Sequence, residues 1–132
     1  METKSFEAII ERLKNIEITE EFDLVVAVAR GGTVPGALVA QKLGCPVATI
    51  VINFRNDMHQ PCRKSPELIS PIDFSYIGRR ILIVDDRSRT GATLNTAKEL
   101  LKDAALVRTL AVNGKADYSL FDEPCFKMPW SG

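Results

Sequence analysis

The stretch Ile81-Leu-Ile-Val-Asp-Asp-Arg-Ser-Arg-Thr-Gly-Ala-Thr-Leu94 determines the fold class that the sequence predicts. It opens with four apolar residues, Ile81–Val84, and such a run is typical of a strand buried on both faces of a parallel sheet. Two aspartates follow, and a short polar stretch then leads to a helical pattern that we expect to begin near Thr93. The stretch therefore predicts a strand, a loop and a helix of an α/β protein.

Outside this stretch, apolar runs of strand length alternate with helical patterns. Alternation of this kind indicates a parallel sheet with right-handed crossovers and helices on both faces, which is a three-layer α/β fold. The chain has 132 residues, a length typical of one domain, so we expect a single domain over residues 1–132. The expected helices are Ser5–Asn15, Val34–Leu43 and Thr93–Lys102, and the expected strands are Leu24–Ala29, Val47–Ile52, Ile81–Val84, Leu106–Val112 and Tyr118–Phe121.

Two kinds of ligand-binding group follow the Ile81–Val84 strand. Asp85 and Asp86 suit vicinal sugar hydroxyls, or a Mg²⁺ ion held partly by substrate oxygens. The loop after them supplies hydroxyls, amides and a glycine at the start of a helix, where free N–H groups favour a phosphate. Together these groups predict a ribose 5-phosphate site; the alternative is an ordinary turn with Thr90 as the helix N-cap. The predicted site consists of Asp85, Asp86, Arg87, Ser88, Arg89, Thr90, Gly91, Ala92 and Thr93.

Composition restricts the function classes. Seventeen basic residues balance seventeen acidic ones, which argues against binding to nucleic acid polymers or to anionic membranes. The N-terminal stretch Met1–Lys14 lacks the apolar core of a signal peptide, and no stretch approaches the roughly 18 apolar residues of a membrane span. The cysteines show no paired metal spacing and no disulfide framework. We therefore expect a cytoplasmic protein.

A glycine-rich turn follows the Leu24–Ala29 strand. Arg30 suits a two-point grip on phosphate oxygens, and Gly31-Gly32 form a turn at the strand end, where ligands sit in open α/β sheets. Such a turn by itself is most often structural, and its pairing with the Asp85-Asp86 segment is what indicates a ligand site. No Gly-Lys-[Ser/Thr] follows the glycines, so a phosphate-loop nucleotide hydrolase is disfavoured.

Both segments resemble motifs of one family. Ile81–Leu94 resembles the ribose-phosphate motif of the type I phosphoribosyltransferases: four apolar residues, two acids, three variable positions, Thr-Gly-x-Thr and an apolar residue. Every fixed position matches. Val25–Leu38 resembles the pyrophosphate loop of that family. The resemblance extends over most of the chain, and within the family it is greatest to the bacterial xanthine-guanine and related 6-oxopurine enzymes.

The resemblance implies an activity and roles for the residues. A base nitrogen would displace pyrophosphate from 5-phosphoribosyl-1-pyrophosphate, giving a nucleoside 5′-monophosphate, with Mg²⁺ as the cofactor. Asp85 and Asp86 would hold the ribose hydroxyls and the metal. Arg30, with the amides of Gly31 and Gly32, would stabilise the departing pyrophosphate. The family also often has a cis peptide at this loop, which predicts a cis bond between Ala29 and Arg30. We expect a homodimer.

Two further segments have counterparts in the family. The polar stretch 55–71 is predicted to be a flexible loop over the substrate, and a solvated tether is the alternative. Residues 114–132 are predicted to form a small C-terminal hood over the base, with Lys115, Phe126 and Trp130 as base-binding residues. The alternative for the hood is that the two aromatic rings only pack and that Lys115 is a turn residue.

Two positions depart from the family pattern. Arg89 stands where 6-oxopurine enzymes commonly have an Asp that serves as proton donor to the base, and Arg87 stands where an apolar residue is usual. Two classes of function therefore stay open: an enzyme that acts on a nucleobase, most simply a purine, and a regulatory module that senses phosphoribosyl pyrophosphate or a nucleotide without turnover. A phospho-acceptor receiver domain is disfavoured by the Thr-Gly-x-Thr loop.

Overall fold

The computed structural model of the chain describes residues 1–53, 67–68 and 71–131. Within these ranges the helices are α1 (Phe6–Asn15), α2 (Thr33–Leu43) and α3 (Ala92–Leu100). The strands are β1 (Leu24–Ala29), β2 (Val47–Asn53), β3 (Glu67–Leu68), β4 (Arg80–Ser88), β5 (Leu106–Gly114) and β6 (Tyr118–Phe121). Among the described residues, no helix has the length and apolar character needed to cross a membrane.

The strands form one sheet in the order β3-β2-β1-β4-β5-β6. All neighbouring strands pair in parallel except the short β3, which pairs antiparallel with β2 at one edge. From β1 the chain first adds β2 on one side and later adds β4 on the other side. This reversal places a topological switch point between β1 and β4, where open α/β sheets bind ligands beyond the carboxyl ends of the strands.

Helices cover both faces of the sheet, so the predicted three-layer α/β fold is confirmed. Alternate side chains of a strand point to opposite faces. Leu82 and Val84 accordingly pack in the cluster that contains residues of α1 and α2, whereas Ile81 and Ile83 pack in the cluster that contains residues of α3. All four side chains of Ile81–Val84 are fully buried. The apolar run therefore places β4 in the centre of the core.

The ends of the helices follow from local chemistry. The Ser5 side chain accepts a hydrogen bond from the amide of Ala8 (3.1 Å) and caps α1. Gly44 ends α2 with a φ of 70°, a conformation that glycine adopts without strain. Helix α3 begins after Gly91, whose φ is 84° and which, as the N-cap residue, has no side chain to cap the helix. The expected Thr93–Lys102 helix thus begins one residue earlier and ends two residues earlier than predicted.

Strands β4 and β5 continue past their apolar runs. The sequence predicted a strand only over Ile81–Val84, but β4 continues through both aspartates and pairs Ser88 with Gly114 of β5. A Cβ atom on Gly114 would overlap the carbonyl group of Ser88, and the Lys115 amide donates to that same carbonyl oxygen at 3.0 Å. The extension therefore depends on a glycine in a distant part of the sequence.

Most of the predicted flexible loop 55–71 lies outside the described residues. Within it the structure describes β3, which the sequence did not predict, and Pro71. Leu68 of β3 pairs with Ile52 of β2. The flexibility of the remaining loop residues stays a prediction.

The predicted hood contains β6 and the segment that follows it. That segment returns to the N-terminus, where Lys127 forms a parallel bridge with Thr3. The Lys4 amide donates to the Lys127 carbonyl (3.0 Å), and the Lys127 amide donates to the Glu2 carbonyl (2.7 Å). The N-terminal segment thus holds the C-terminal segment against the domain.

Replacing Gly114 by Ala should destabilise the protein strongly. The added Cβ would overlap the Ser88 carbonyl group, and the φ of 118° at Gly114 is strained for any other residue. We expect the free energy of unfolding in urea to fall by roughly 2–5 kcal/mol. Gly78→Ala is the matched control, because Gly78 also has a positive φ (76°) but a Cβ there would meet no atom within 4 Å. That control should cost only about 1 kcal/mol, and equal losses in both variants would contradict the proposed close packing.

Candidate active site

The carboxyl ends of β1 and β4 bring the two predicted ligand segments into contact. A Cβ atom on Gly31 would lie 2.5 Å from both carboxylate oxygens of Asp86, so the backbone of the Gly-Gly turn packs directly against this side chain. The two segments are far apart in the sequence. Their contact at the switch point is the central feature of the site.

The turn after β1 is tightly packed against the ends of the central strands. The Gly32 amide donates to the Val28 carbonyl (2.7 Å), and the Thr33 amide donates to the Arg30 carbonyl (3.0 Å). A Cβ atom on Gly32 would lie 2.7 Å from the Val28 carbonyl oxygen, so this position requires glycine. The Ala29–Arg30 peptide is cis, as the family resemblance implied. Arg30 itself is exposed beside the turn.

The two aspartates differ in their environments. Asp85 is buried, with 8% of its surface exposed, and its Oδ1 accepts a hydrogen bond from the Asp86 amide (2.8 Å). Asp86 is partly exposed, and its Oδ1 accepts from the Arg87 amide (2.7 Å). The Arg87 guanidinium lies 3.7 Å from the other oxygen of Asp86. These local hydrogen bonds fix the orientation of both carboxylates.

Burial and the neighbouring Asp86 carboxylate raise the pKa of Asp85 to about 8. Two adjacent carboxylates with this mutual repulsion fit a divalent cation, because a cation offsets the cost of ionising both groups. Among the described residues, no group of three or more metal-binding side chains occurs. The pair would therefore supply part of the coordination of Mg²⁺, and substrate oxygens and water would complete it.

A cavity of about 400 Å³ lies over the start of α3 and is lined by residues 87–94. The N-cap residue Gly91 has no side chain to cap the first turn of α3, so the amides of Thr93 and Leu94 are available to a phosphate. The Thr90 hydroxyl accepts a hydrogen bond from the Ala92 amide (3.2 Å). Gly91, and not Thr90, is the N-cap residue. We refer to this cavity as the phosphate cavity.

A second cavity, of about 300 Å³, adjoins the phosphate cavity, and we refer to it as the base cavity. Two buried polar atoms at this place, Ser88 Oγ and Arg87 Nε, have no hydrogen-bond partner among the described residues. Ser88 is only 5% exposed. Buried polar groups are normally hydrogen-bonded, so these two atoms are unsatisfied groups in the wall of the base cavity. The base cavity is lined by Arg87, Ser88, Arg89, Asn113, Gly114, Lys115, Asp122, Glu123, Pro124 and Cys125.

Asn113, which was not among the residues predicted from the sequence, fixes one wall of the base cavity. Its Nδ2 donates to the Glu123 carbonyl (3.1 Å), and its Oδ1 accepts from the Glu123 amide (3.0 Å). Asn113 is buried and directly follows the apolar run Leu110–Val112. A polar residue at the end of a buried strand is the feature of the sequence that could have indicated a role for Asn113 at the site.

The predicted base-binding residues occupy different places. Lys115 is exposed and lines the base cavity. The ring of Phe126 is 3% exposed and packs edge-on against Phe121, with ring centroids 5.5 Å apart. Trp130 packs edge-on against Phe6 at 5.8 Å. The Phe126 carbonyl oxygen, however, accepts a hydrogen bond from Arg87 Nη2 (2.7 Å). The structure thus brings Lys115 to the cavity and places both aromatic rings in packing contacts.

The chain combines a sheet switch point with paired acids, a glycine turn and a phosphate cavity. These are the features expected of the family that the sequence resembles. A family model described as the phosphoribosyl transferase domain matches residues 2–128. The chain is therefore a member of the phosphoribosyltransferase family, and the resemblance seen in the sequence is confirmed.

Individual relatives agree with this membership. The chain is similar to the xanthine-guanine phosphoribosyltransferase from Vibrio atlanticus, with 35% identity over 108 residues, which are 79% of this chain and 64% of the relative. The corresponding protein from Idiomarina loihiensis is 32% identical over 92 residues, which are 70% of this chain and 56% of the relative. The chain thus spans less than two thirds of the length of these relatives.

A solved structure shares the fold. The purine phosphoribosyltransferase from Pyrococcus horikoshii superimposes with a TM-score of 0.82 at 23% identity, covering 98% of this chain and 93% of that chain. At this identity, the likeness concerns the fold alone.

The raised pKa of Asp85 predicts that stability falls as the pH rises. Between the ordinary value of 3.8 and about 8, the folded protein holds a proton on Asp85 that the unfolded chain has lost. The associated stability is therefore fully present below pH 3.8 and is lost as the pH rises through about 8. Asp85→Asn should make the free energy of unfolding less dependent on pH over this window, as measured by urea unfolding at several pH values. The exposed Asp103→Asn is the control, and a pH dependence in Asp85→Asn equal to that of the wild type would contradict the assignment.

Proposed function

We propose that the protein transfers the phosphoribosyl group of 5-phosphoribosyl-1-pyrophosphate to a purine base, releasing pyrophosphate and forming a nucleoside 5′-monophosphate. The observation that carries this proposal is the contact between the Gly31 turn and the Asp86 carboxylate, beside the glycine-capped start of a helix. This arrangement supports recognition of one molecule that has a pyrophosphate, two ribose hydroxyls and a 5′-phosphate. Membership of the phosphoribosyltransferase family supports the same substrate.

Each part of the activated ribose has a partner in this proposal. The 5′-phosphate binds the amides at the start of α3 and the hydroxyls of Thr90 and Thr93. Asp85 and Asp86 accept hydrogen bonds from the ribose hydroxyls and hold Mg²⁺. Mg²⁺, when bound, offsets negative charge on the pyrophosphate. Arg30 and the amides of the Gly31-Gly32 turn bind the pyrophosphate oxygens.

The same residues support the reaction itself. As the bond from C1 to pyrophosphate breaks, positive charge develops on the ribose ring and negative charge develops on the leaving pyrophosphate. Asp85 and Asp86 lie on the ribose side, where carboxylates stabilise positive charge. Arg30 lies on the pyrophosphate side, where a cation stabilises negative charge. The fixed orientation of both carboxylates means that little reorganisation is needed during the reaction.

A purine as the accepting base is supported by the relatives, whose names state xanthine and guanine. The base cavity adjoins the phosphate cavity, and its volume is at the lower end of the range for small-molecule sites, roughly 300–1,000 Å³. Lys115 lines this cavity and contacts the base in the proposal. Phe126 contributes through its carbonyl oxygen, which holds Arg87, and Trp130 contributes by packing against the N-terminal helix. The cytoplasmic location and the homodimer stay predictions.

Purified protein should release pyrophosphate when it is given the activated ribose, Mg²⁺ and a purine base. Asp86→Asn removes a charge from the ribose and metal site, so kcat/KM should fall by about 100-fold or more in a coupled pyrophosphate assay. Asp103→Asn removes an exposed acid away from the site and should leave kcat/KM unchanged. Tight binding of the activated ribose without turnover of any base would contradict the enzyme and support the sensing module.

Thr90→Val should weaken binding of the activated ribose. The substitution removes the hydroxyl that is proposed to contact the phosphate and that also accepts from the Ala92 amide. The loss of one hydrogen bond to a charged group predicts a rise in Kd of roughly tenfold or more, equivalent to about 1.5–3 kcal/mol, by isothermal titration calorimetry. Thr49→Val, an exposed change on β2, is the control. An unchanged Kd for Thr90→Val would place the phosphate elsewhere.

A further inference from the structure

The wall shared by the two cavities is positively charged. Arg87, Ser88 and Arg89 line both the phosphate cavity and the base cavity, so in the proposed binding mode they lie between the ribose and the base. Two of these three residues are cations, and the third has a buried hydroxyl without a partner among the described residues. The Arg87 Nε atom is likewise buried and without a partner there.

The acids of the base cavity do not balance these cations. Glu123 forms an ion pair (2.9 Å) with Lys4, which does not line the cavity. The Arg87 guanidinium pairs with the Asp86 carboxylate at 3.7 Å. Among the described residues, Arg89 and Lys115 form no ion pair, and Asp122 is the remaining acid in the wall of the base cavity. Asp122 and Glu123 line the base cavity but not the phosphate cavity. The junction where the new bond forms therefore combines positive charge with hydrogen-bond donors.

This charge distribution bears on the proton of the base. A neutral purine must lose the proton from its attacking nitrogen when the bond to C1 forms, and a carboxylate at the junction is the usual kind of acceptor. In this chain the junction residues Arg87 and Arg89 cannot accept a proton, and Asp85 and Asp86 are assigned to the ribose and the metal. An anionic base needs no proton acceptor, and the two arginines would stabilise it directly.

We propose, on the basis of the function proposed above, that the base cavity selects nucleobases that ionise near neutral pH and binds them as anions. The proton leaves the base for water before binding. The electron pair on the deprotonated ring nitrogen then forms the bond to C1, while the C1–oxygen bond breaks and pyrophosphate leaves with its electron pair. No protein group takes up a proton during the transfer. Arg89 thus determines the preference for nucleobases that ionise near neutral pH over nucleobases that ionise only at higher pH.

Guanine and 8-azaguanine provide a matched pair of substrates. They have the same shape and the same oxo and amino groups, but the additional ring nitrogen makes the azole N–H of 8-azaguanine more acidic. We would measure kcat/KM for both bases at saturating activated ribose and Mg²⁺ over a range of pH. Protein groups that titrate, including Asp85, change kcat/KM for both substrates by the same factor. The ratio of the two kcat/KM values therefore depends on pH only through ionisation of the base.

The ratio should favour 8-azaguanine by about tenfold or more at neutral pH. It should then fall by about tenfold per pH unit between the ionisation points of the two bases, because the fraction of anionic guanine rises by that factor. A ratio that does not change with pH, with guanine used as well as 8-azaguanine, would overturn selection of the anion while leaving the transferase activity intact. No pyrophosphate release at any pH with these two bases or with any other purine, including xanthine, would instead overturn the proposed function, and this inference with it.

Substitution at Arg89 tests the residue itself. Arg89→Gln removes the cation, and Arg89→Asp also adds a proton acceptor, so both should lower the ratio at neutral pH by roughly tenfold or more, with the larger effect for Asp. Arg89 is exposed, so these changes should not disturb folding. Lys42→Gln, which removes an exposed cation on α2, should leave the ratio unchanged. A ratio in both Arg89 variants equal to that of the wild type would overturn the assignment of specificity to Arg89.

Discussion

The carboxylate of Asp86 lies against the backbone of Gly31, at the carboxyl ends of the two central strands. This contact requires that β1 and β4 pair in parallel, that β4 stays extended through both aspartates, and that residue 31 lacks a side chain. The core provides the first condition, because the fully buried residues of both strands pack under helices on either face. Pairing with β5 provides the second. The position of the acids relative to the glycine turn, and with it the geometry of the whole site, depends on these three conditions together.

The sequence predicted the strands and helices whose bounds depend on residues that are neighbours in the chain. The run Leu24–Ala29 is continuous and apolar, and β1 has these bounds in the structure. Helix α2 ends before Gly44 as expected, since a glycine at that position relieves a positive φ. The cis peptide before Arg30 was predicted from the family resemblance alone, because nothing in the local sequence distinguishes it from an ordinary turn.

The features that the sequence analysis missed depend on residues that are distant in the chain. Strand β4 continues to Ser88, where Gly114 allows close pairing, and the helical and strand patterns carry no signal for that. Asn113 lines the base cavity, and its side chain forms two hydrogen bonds with the backbone of Glu123. The expectation of Phe126 as a base-binding residue followed from its place in the hood; in the structure its ring packs edge-on against Phe121, and the ammonium group of Lys4 lies 5.1 Å from the ring centroid. In each case a tertiary contact determines the role of the residue.

The bridge between Thr3 and Lys127 has a consequence for how the protein forms in the cell. It joins the two ends of the described chain, and a contact with so large a sequence separation closes a loop of nearly the whole domain. Such contacts slow folding, because the entropy of closure is lost before the contact stabilises anything. During synthesis, Thr3 leaves the ribosome long before Lys127 exists. The bridge between the N-terminal segment and Lys127 can therefore form only after translation has passed the last strand.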